Sequence, residues 1–109
     1  MKSETLNYQS YKWKKKSKRI LKMDRELDRV AAMFGRHETA EMVHHIYPAK
    51  EYPQYAWEDW NLISVSRKTH NKLENRNTGE LTQLGIWLMS QTEPGKNWRN
   101  RHENKYATK

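Results

Sequence analysis

The sequence contains no cysteine, few glycines and prolines, and no long apolar run. Without thiols the chain can form neither disulfides nor thiolate metal sites, and it has no cysteine nucleophile. No stretch reaches the roughly 18 apolar residues that span a bilayer. The basic N-terminus is not followed by the apolar segment of a secretory signal. The lack of cysteine leaves the redox compartment undetermined, and a cytoplasmic protein that does not enter a membrane is the default expectation.

Apolar residues are also scarce. They make up 35% of the 109 residues, against roughly 45 to 50% in an average globular domain. Five tryptophans and six tyrosines supply bulk for a core in their place. The length and composition fit one compact domain.

Positive charge is abundant and concentrated at the two ends. The chain has 21 Lys and Arg against 13 Asp and Glu. Residues 1–23 have a net charge of +7 and residues 94–109 a net charge of +4, whereas residues 24–93 have a net charge of −3. Basic ends suggest contacts with nucleic-acid phosphates, although a solvated tail would have the same composition.

Residue periodicity divides the chain into a basic N-terminal arm (1–16), a domain (17–92) and a basic C-terminal tail (93–109). Apolar residues at helical spacing predict a helix over 17–34, capped by Ser17 and ended by Gly35. Short β-branched or alternating runs predict strands at 40–46 and 62–66. Further helices are predicted at 68–75 and 81–90, so the fold class is α+β.

Histidines occupy suggestive positions in this scheme. His44 and His45 are adjacent in a predicted strand, so their side chains should point to opposite faces. His70 and Glu74 lie one helical turn apart and could reach one ion together. Imidazole and carboxylate ligands suit a divalent metal, and a neutral imidazole can accept a proton from water. Structural or merely exposed histidines remain an alternative on this pattern alone.

The longer pattern is more specific. It reads Val43-His44-His45-Ile46, then Asn61-Leu62-Ile63-Ser64, then His70-Asn71-Lys72, with 16 residues from His45 to Asn61 and 9 from Asn61 to His70. This order of His, Asn and His resembles the HNH endonuclease family. The upstream segment, with Trp13 and Asp24, resembles the lead-in helix of phage-type members.

The resemblance implies a ββα-metal (His-Me finger) core, in which an antiparallel hairpin and a helix surround one metal ion, with further helices around it. It implies that His44 and His70 are metal ligands, with Glu74 as a looser match for a third. His45 matches the general base, and Asn61 the residue that tethers the loop and orients that base. The implied ion is Mg²⁺ or Mn²⁺, with Zn²⁺ or Ni²⁺ as alternatives, and the implied products have 5′-phosphate and 3′-hydroxyl ends.

The sequence departs from many members of that family in one respect. They have two Cys-x-x-Cys pairs that hold a structural zinc, whereas here Ser66 and Thr69 stand where the later pair would be. Apolar packing by Val30, Met33, Phe34 and nearby tryptophans is expected to replace the zinc.

The expected partner is DNA, bound in the bacterial host cytoplasm if the gene is phage-encoded. The Lys14-Lys15-Lys16 run is expected to contact phosphates, as are Arg67 and Lys72 near His70. Aromatic residues of the arm could add packing against sugar or base, namely Tyr8, Tyr11 and Trp13. Two alternatives to a DNA endonuclease remain, a non-catalytic DNA-binding module on the same fold and an RNA-directed or toxin-like nuclease. By analogy alone, phage terminase subunits are further candidate partners.

Overall fold

The structure is a computed structural model that describes residues 6–99. Its elements follow in this order: α1 (Tyr11–Met23), α2 (Arg29–Met33), β1 (Met42–His45), β2 (Leu62–Val65), α3 (Arg67–Leu73) and α4 (Gln83–Ser90). Two short 3-10 turns, Pro53–Tyr55 and Asp59–Asn61, lie between the strands. The antiparallel β1–β2 pair followed by α3 is the predicted ββα arrangement, and the α+β class is confirmed.

The two strands are covered on both faces. His44 pairs with Ile63 and His45 with Leu62, so alternate residues face α1 or the helices α2, α3 and α4. Leu62 belongs to the cluster of Trp13 and Ile20, whereas Ile63 belongs to the cluster on the opposite face. All of β2 is therefore buried, including a serine that an alternating strand pattern places toward solvent.

Helix α1 begins earlier than predicted. Ser10, not Ser17, caps it, with its hydroxyl accepting a hydrogen bond from the Trp13 amide at 3.1 Å. Trp13 and Ile20 are seven residues apart, lie on one face of the helix and are buried. Residues 11–16, assigned from sequence to a basic arm, thus form the first turns of α1. The expectation that Trp13 packs against nucleic acid is wrong, because its ring is part of the core.

The predicted single helix over 17–34 is wrong, because the chain turns sharply after Met23. Arg25 and Glu26 have φ values of 58° and 56°, in the left-handed region that interrupts a helix. Asp28 then caps α2 through a 2.8 Å hydrogen bond from the Ala31 amide. Helix α2 extends only from Arg29 to Met33, so the apolar residues between positions 20 and 34 do not lie along one continuous helix.

Hydrogen bonds, rather than apolar packing, occupy the place of the zinc knuckle. The Asp28 carboxylate also accepts from the Ser66 amide at 2.9 Å, and the Ser66 hydroxyl contacts Thr69 and Glu38. Of the three residues expected to replace the metal, Val30 is buried, whereas Met33 is 45% and Phe34 50% exposed. The expected burial is found for Val30 and not for Met33 or Phe34, although the Phe34 ring contacts Trp87 with centroids 5.8 Å apart.

The last described residues, Trp98 and Arg99, pack against the domain. The Trp98 indole donates to the Trp60 carbonyl at 2.9 Å. Arg99 is 4% exposed and holds both carboxylate oxygens of the buried Asp24, at 2.6 and 2.9 Å. Asp24 also caps the C-terminus of α1, so Arg99 fixes the end of that helix. Residues 100–109 of the predicted tail lie outside the described residues.

Candidate functional site

A cleft of about 570 Å³ lies between α1 and β1. Its walls include Lys14 and Lys18 of α1 and His45 of β1, and His70 and Glu74 close its far side. The antiparallel pairing and the helix that follows it bring together residues that are 25 or more positions apart in sequence.

His44 faces α3 and is 1% exposed. Neither of its ring nitrogens has a hydrogen-bond partner among the described residues. Burial lowers the pKa of His44, with the neighbouring His70 acting in the same direction and Glu74 against it. A buried neutral imidazole without a partner is costly unless something else binds its lone pair, as a metal ion does.

His70 and Glu74 approach His44 from the end of α3. Glu74 follows the last helical residue, and its backbone is extended and pairs with Leu81 in an isolated β-bridge. The Glu74 amide nevertheless donates a hydrogen bond to the His70 carbonyl at 3.0 Å, as in a helical turn. Glu74 Oε2 lies 3.4 Å from His44 Nδ1 and 3.5 Å from His70 Nε2. The end of α3 therefore brings His70 and Glu74 to the His44 ring on β1.

The three ligand atoms are close enough for one divalent ion to draw them together. They lie within 4.8 Å of one another. Ligands bound at about 2.1 Å with angles of roughly 90 to 110° are about 3.0 to 3.4 Å apart. Burial raises the pKa of Glu74, but His44 and His70 together lower it more, to about 2, so the carboxylate is ionised at neutral pH. The residues predicted to be metal ligands thus form one anionic site.

His45 occupies the opposite face of β1 and is held on two sides. Its ring stacks on Trp13 with centroids 5.0 Å apart and planes at 19°, and the Tyr8 ring approaches at 6.1 Å. Its Nε2 lies 3.0 Å from the Ala56 carbonyl oxygen. That oxygen only accepts, so Nε2 is assigned the proton and Nδ1 keeps a free lone pair. Burial lowers the pKa of His45 to about 4, against the opposing effect of the Ala56 bond, which leaves the ring neutral near pH 7.

Asn61 closes the loop that positions the Ala56 carbonyl. It is 0% exposed, and its Oδ1 accepts from the Tyr47 amide at 2.7 Å. Its Nδ2 donates to the Tyr47 carbonyl at 3.0 Å and to the Tyr55 carbonyl at 3.1 Å. Asn61 therefore joins both ends of the connection between the strands, next to the residue that orients His45.

The predicted phosphate-binding lysines do not share one environment. Lys14 lines the cleft. Lys15 lies over the Tyr11 ring at 5.9 Å, on another face of α1. Lys16 is only 19% exposed, because it bonds Asp59 at 2.5 Å.

The two cations predicted to hold phosphates beside His70 share its helix but are outside the cleft lining. Arg67 and Lys72 are exposed on α3, and neither is among the described residues that line the cleft.

The backbone carbonyl of Ala56 is the main feature of the site that sequence reasoning missed. Every residue has a main-chain carbonyl, so residue type does not indicate which one binds a histidine. The two 3-10 turns that position this carbonyl are too short to show a hydrophobic periodicity in the sequence. Lys18 was also missed as a cleft residue, although its spacing of four residues from Lys14 puts it on the same face of a helix.

A scan against protein-family models and a search of curated proteins find no match. Among solved structures, the fold is similar to the HNH endonuclease of the deep-sea thermophilic bacteriophage GVE2, which was crystallised with a manganese ion. The TM-score is 0.56 with 25% sequence identity, covering 59% of this chain and 70% of the phage enzyme. No helix within residues 6–99 has the length and apolar character needed to cross a membrane.

Proposed function

We propose that the chain is a metal-dependent endonuclease of the HNH type that hydrolyses DNA phosphodiester bonds, on the fold that it shares with the phage enzyme. The observation that carries the proposal is the buried His44, whose unpartnered ring nitrogens lie beside the ligand atoms of His70 and Glu74. This trio would hold one divalent ion, with manganese as the first candidate and Mg²⁺, Zn²⁺ or Ni²⁺ as alternatives. When bound, the ion supplies positive charge that stabilises the negative charge developing on the phosphate and the leaving 3′ oxygen.

His45 is proposed as the general base. Its Nε2–H is engaged by the Ala56 carbonyl, so the lone pair on Nδ1 is the one that accepts a proton from the attacking water. The Trp13 ring fixes the plane of the imidazole, and Asn61 fixes the loop that presents the carbonyl. Trp13 and Asn61 orient the base and need not touch the substrate.

Cleavage of supercoiled plasmid by metal-depleted protein tests the proposal. Cleavage is expected when Mn²⁺ or Mg²⁺ is added and not in EDTA. His44→Ala should abolish it, whereas His37→Ala is the matched control, because His37 is an exposed histidine outside the cleft lining.

Absence of cleavage with all four ions would reject the proposal. If the protein then still binds the plasmid, the non-catalytic DNA-binding module is the better interpretation. Equal cleavage in EDTA and in Mn²⁺ would reject the metal site.

A further inference from the structure

Helix α1 is strongly basic and lies between two grooves. It contains seven Lys and Arg and no acidic residue. Lys14 and Lys18 line the catalytic cleft, whereas Lys12, Lys15 and Arg19 line a separate groove with Trp57. Both sets follow from residue spacing, since positions three or four apart share a helix face.

The cations of the second groove are already engaged. Lys12 lies over the Trp57 ring at 4.7 Å. Arg19 bonds Asp59 at 3.2 Å, together with Lys16. By contrast, Lys14 and Lys18 are exposed and make no salt bridge within residues 6–99. Their ammonium groups are therefore available to an anion in the cleft.

Two lysines and two glutamates are the charged side chains in a cleft wall that is otherwise mostly apolar. Glu41 and Glu74 both line it, and Lys14 and Lys18 are the Lys and Arg among its described lining residues. Glu74 would be neutralised by the ion that it is proposed to hold, so Glu41 is the carboxylate that a polyanionic strand near His45 would meet. The lysines on the α1 wall offset that repulsion at the point where the strand must enter.

We infer that Lys14 and Lys18 bind backbone phosphates that neighbour the scissile one, so that the cleaved strand runs along α1. The inference rests on the proposed function. The scissile phosphate must lie beside His45 and the metal ligands, which leaves the lysine wall to its neighbours. The two Cα atoms are one turn apart, about 6 Å along the axis. Lysine is a flexible point charge, suited to phosphate and indifferent to the base.

Two double variants of α1 test the inference. Lys14→Gln with Lys18→Gln removes the cleft pair, and Lys12→Gln with Lys15→Gln removes as much charge from the other face of the same helix. Each is assayed on a short DNA duplex and on thymidine 5′-(p-nitrophenyl phosphate), a single diester without neighbouring phosphates. Binding of the duplex in EDTA is followed against salt.

The cleft variant is expected to lose about tenfold or more in kcat/KM on the duplex, and to lose clearly less on the single diester. Its slope of log affinity against log salt should fall by up to roughly 1.8, at about 0.9 for each phosphate that is no longer neutralised. Replacement of Lys14 and Lys18 by Arg should restore most of the rate. The outer-face variant should change kcat/KM less than the cleft variant does.

Equal losses in the two variants, or an equal loss on both substrates, would overturn the inference. Equal losses in the two variants would mean that the positive charge of α1 attracts DNA wherever it lies on the helix. An equal loss on both substrates would mean that Lys14 and Lys18 maintain the structure of the site and do not bind neighbouring phosphates. If the wild-type protein binds the duplex but does not cut it, the proposed function fails. The salt slopes of the two variants then decide the inference alone, and equal slopes would reject it.

Discussion

Replacement of Asn61 by alanine should weaken both the fold and the active site. The substitution leaves three groups without their partner, namely the Tyr47 amide, the Tyr47 carbonyl and the Tyr55 carbonyl. At about 1 kcal/mol each, the expected loss is about 3 kcal/mol of unfolding free energy. For a domain of this size, that lowers the melting temperature by roughly 12 to 24 °C.

The same change should slow cleavage, because the loop also presents the Ala56 carbonyl to His45. A misplacement of about 1 Å at the general base costs roughly 10²-fold in rate. Thermal unfolding by circular dichroism and plasmid cleavage well below the melting temperature measure the two effects separately. Asn71→Ala is the control, since Asn71 is an exposed asparagine on α3. A melting temperature and a rate equal to those of the parent would refute the reasoning.

Four further outcomes are expected. His45→Ala should lower cleavage by roughly 10² to 10⁴ with metal affinity nearly unchanged in calorimetry, and comparable cleavage would reject its role as base. His70→Ala and Glu74→Gln should each weaken metal binding and cleavage together, because both atoms approach one point; unchanged affinity would remove that residue from the ligand set. Asp28→Ala should cost about 2 to 3 kcal/mol in chemical denaturation through loss of a cap and a buried bond to Ser66, and stability equal to that of the parent would contradict this. EDTA should stop cleavage without unfolding the chain, and a loss of circular dichroism signal in EDTA would show that a metal holds the fold.

The hairpin and the family could be predicted from sequence because their signals are local and specific. His44, His45, Asn61 and His70 are rare residue types in a fixed order, and the strands between them are short and β-branched. The hairpin and α3 are confirmed by the fold, and the resemblance to HNH endonucleases is supported by the similar fold of the phage nuclease. The metal, base and tether roles of the individual residues remain predictions.

The helix boundaries could not be predicted because periodicity does not detect a break between two helices that pack on opposite faces of a two-stranded sheet. Ile20 and Val30 are both buried, so the apolar stripe is unbroken in sequence. The break is made by Arg25 and Glu26, neither of which is a residue type that marks a left-handed turn. Tertiary contacts impose it, since Asp24 is held by Arg99 from the far end of the described chain.

The replacement of the zinc knuckle was misjudged for a related reason. Apolar residues near the missing cysteines suggested packing, but Met33 and Phe34 are on the outside of α2. Asp28 and Ser66 are 38 positions apart, and nothing in either segment alone indicates that they bond. Long-range polar pairs of this kind have no local pattern.

The hydrogen bonds of the Asn61 side chain also have a kinetic consequence. The hydrogen bond between His45 and Ala56 spans 11 residues, and the one between Tyr47 and Asn61 spans 14, so both require closure of the same loop. Opening of that loop exposes the Tyr47 amide and frees His45 from its carbonyl in one event. The exchange rate of that single amide with deuterium is therefore a direct measure of how often the base loses its orientation while the rest of the domain stays folded.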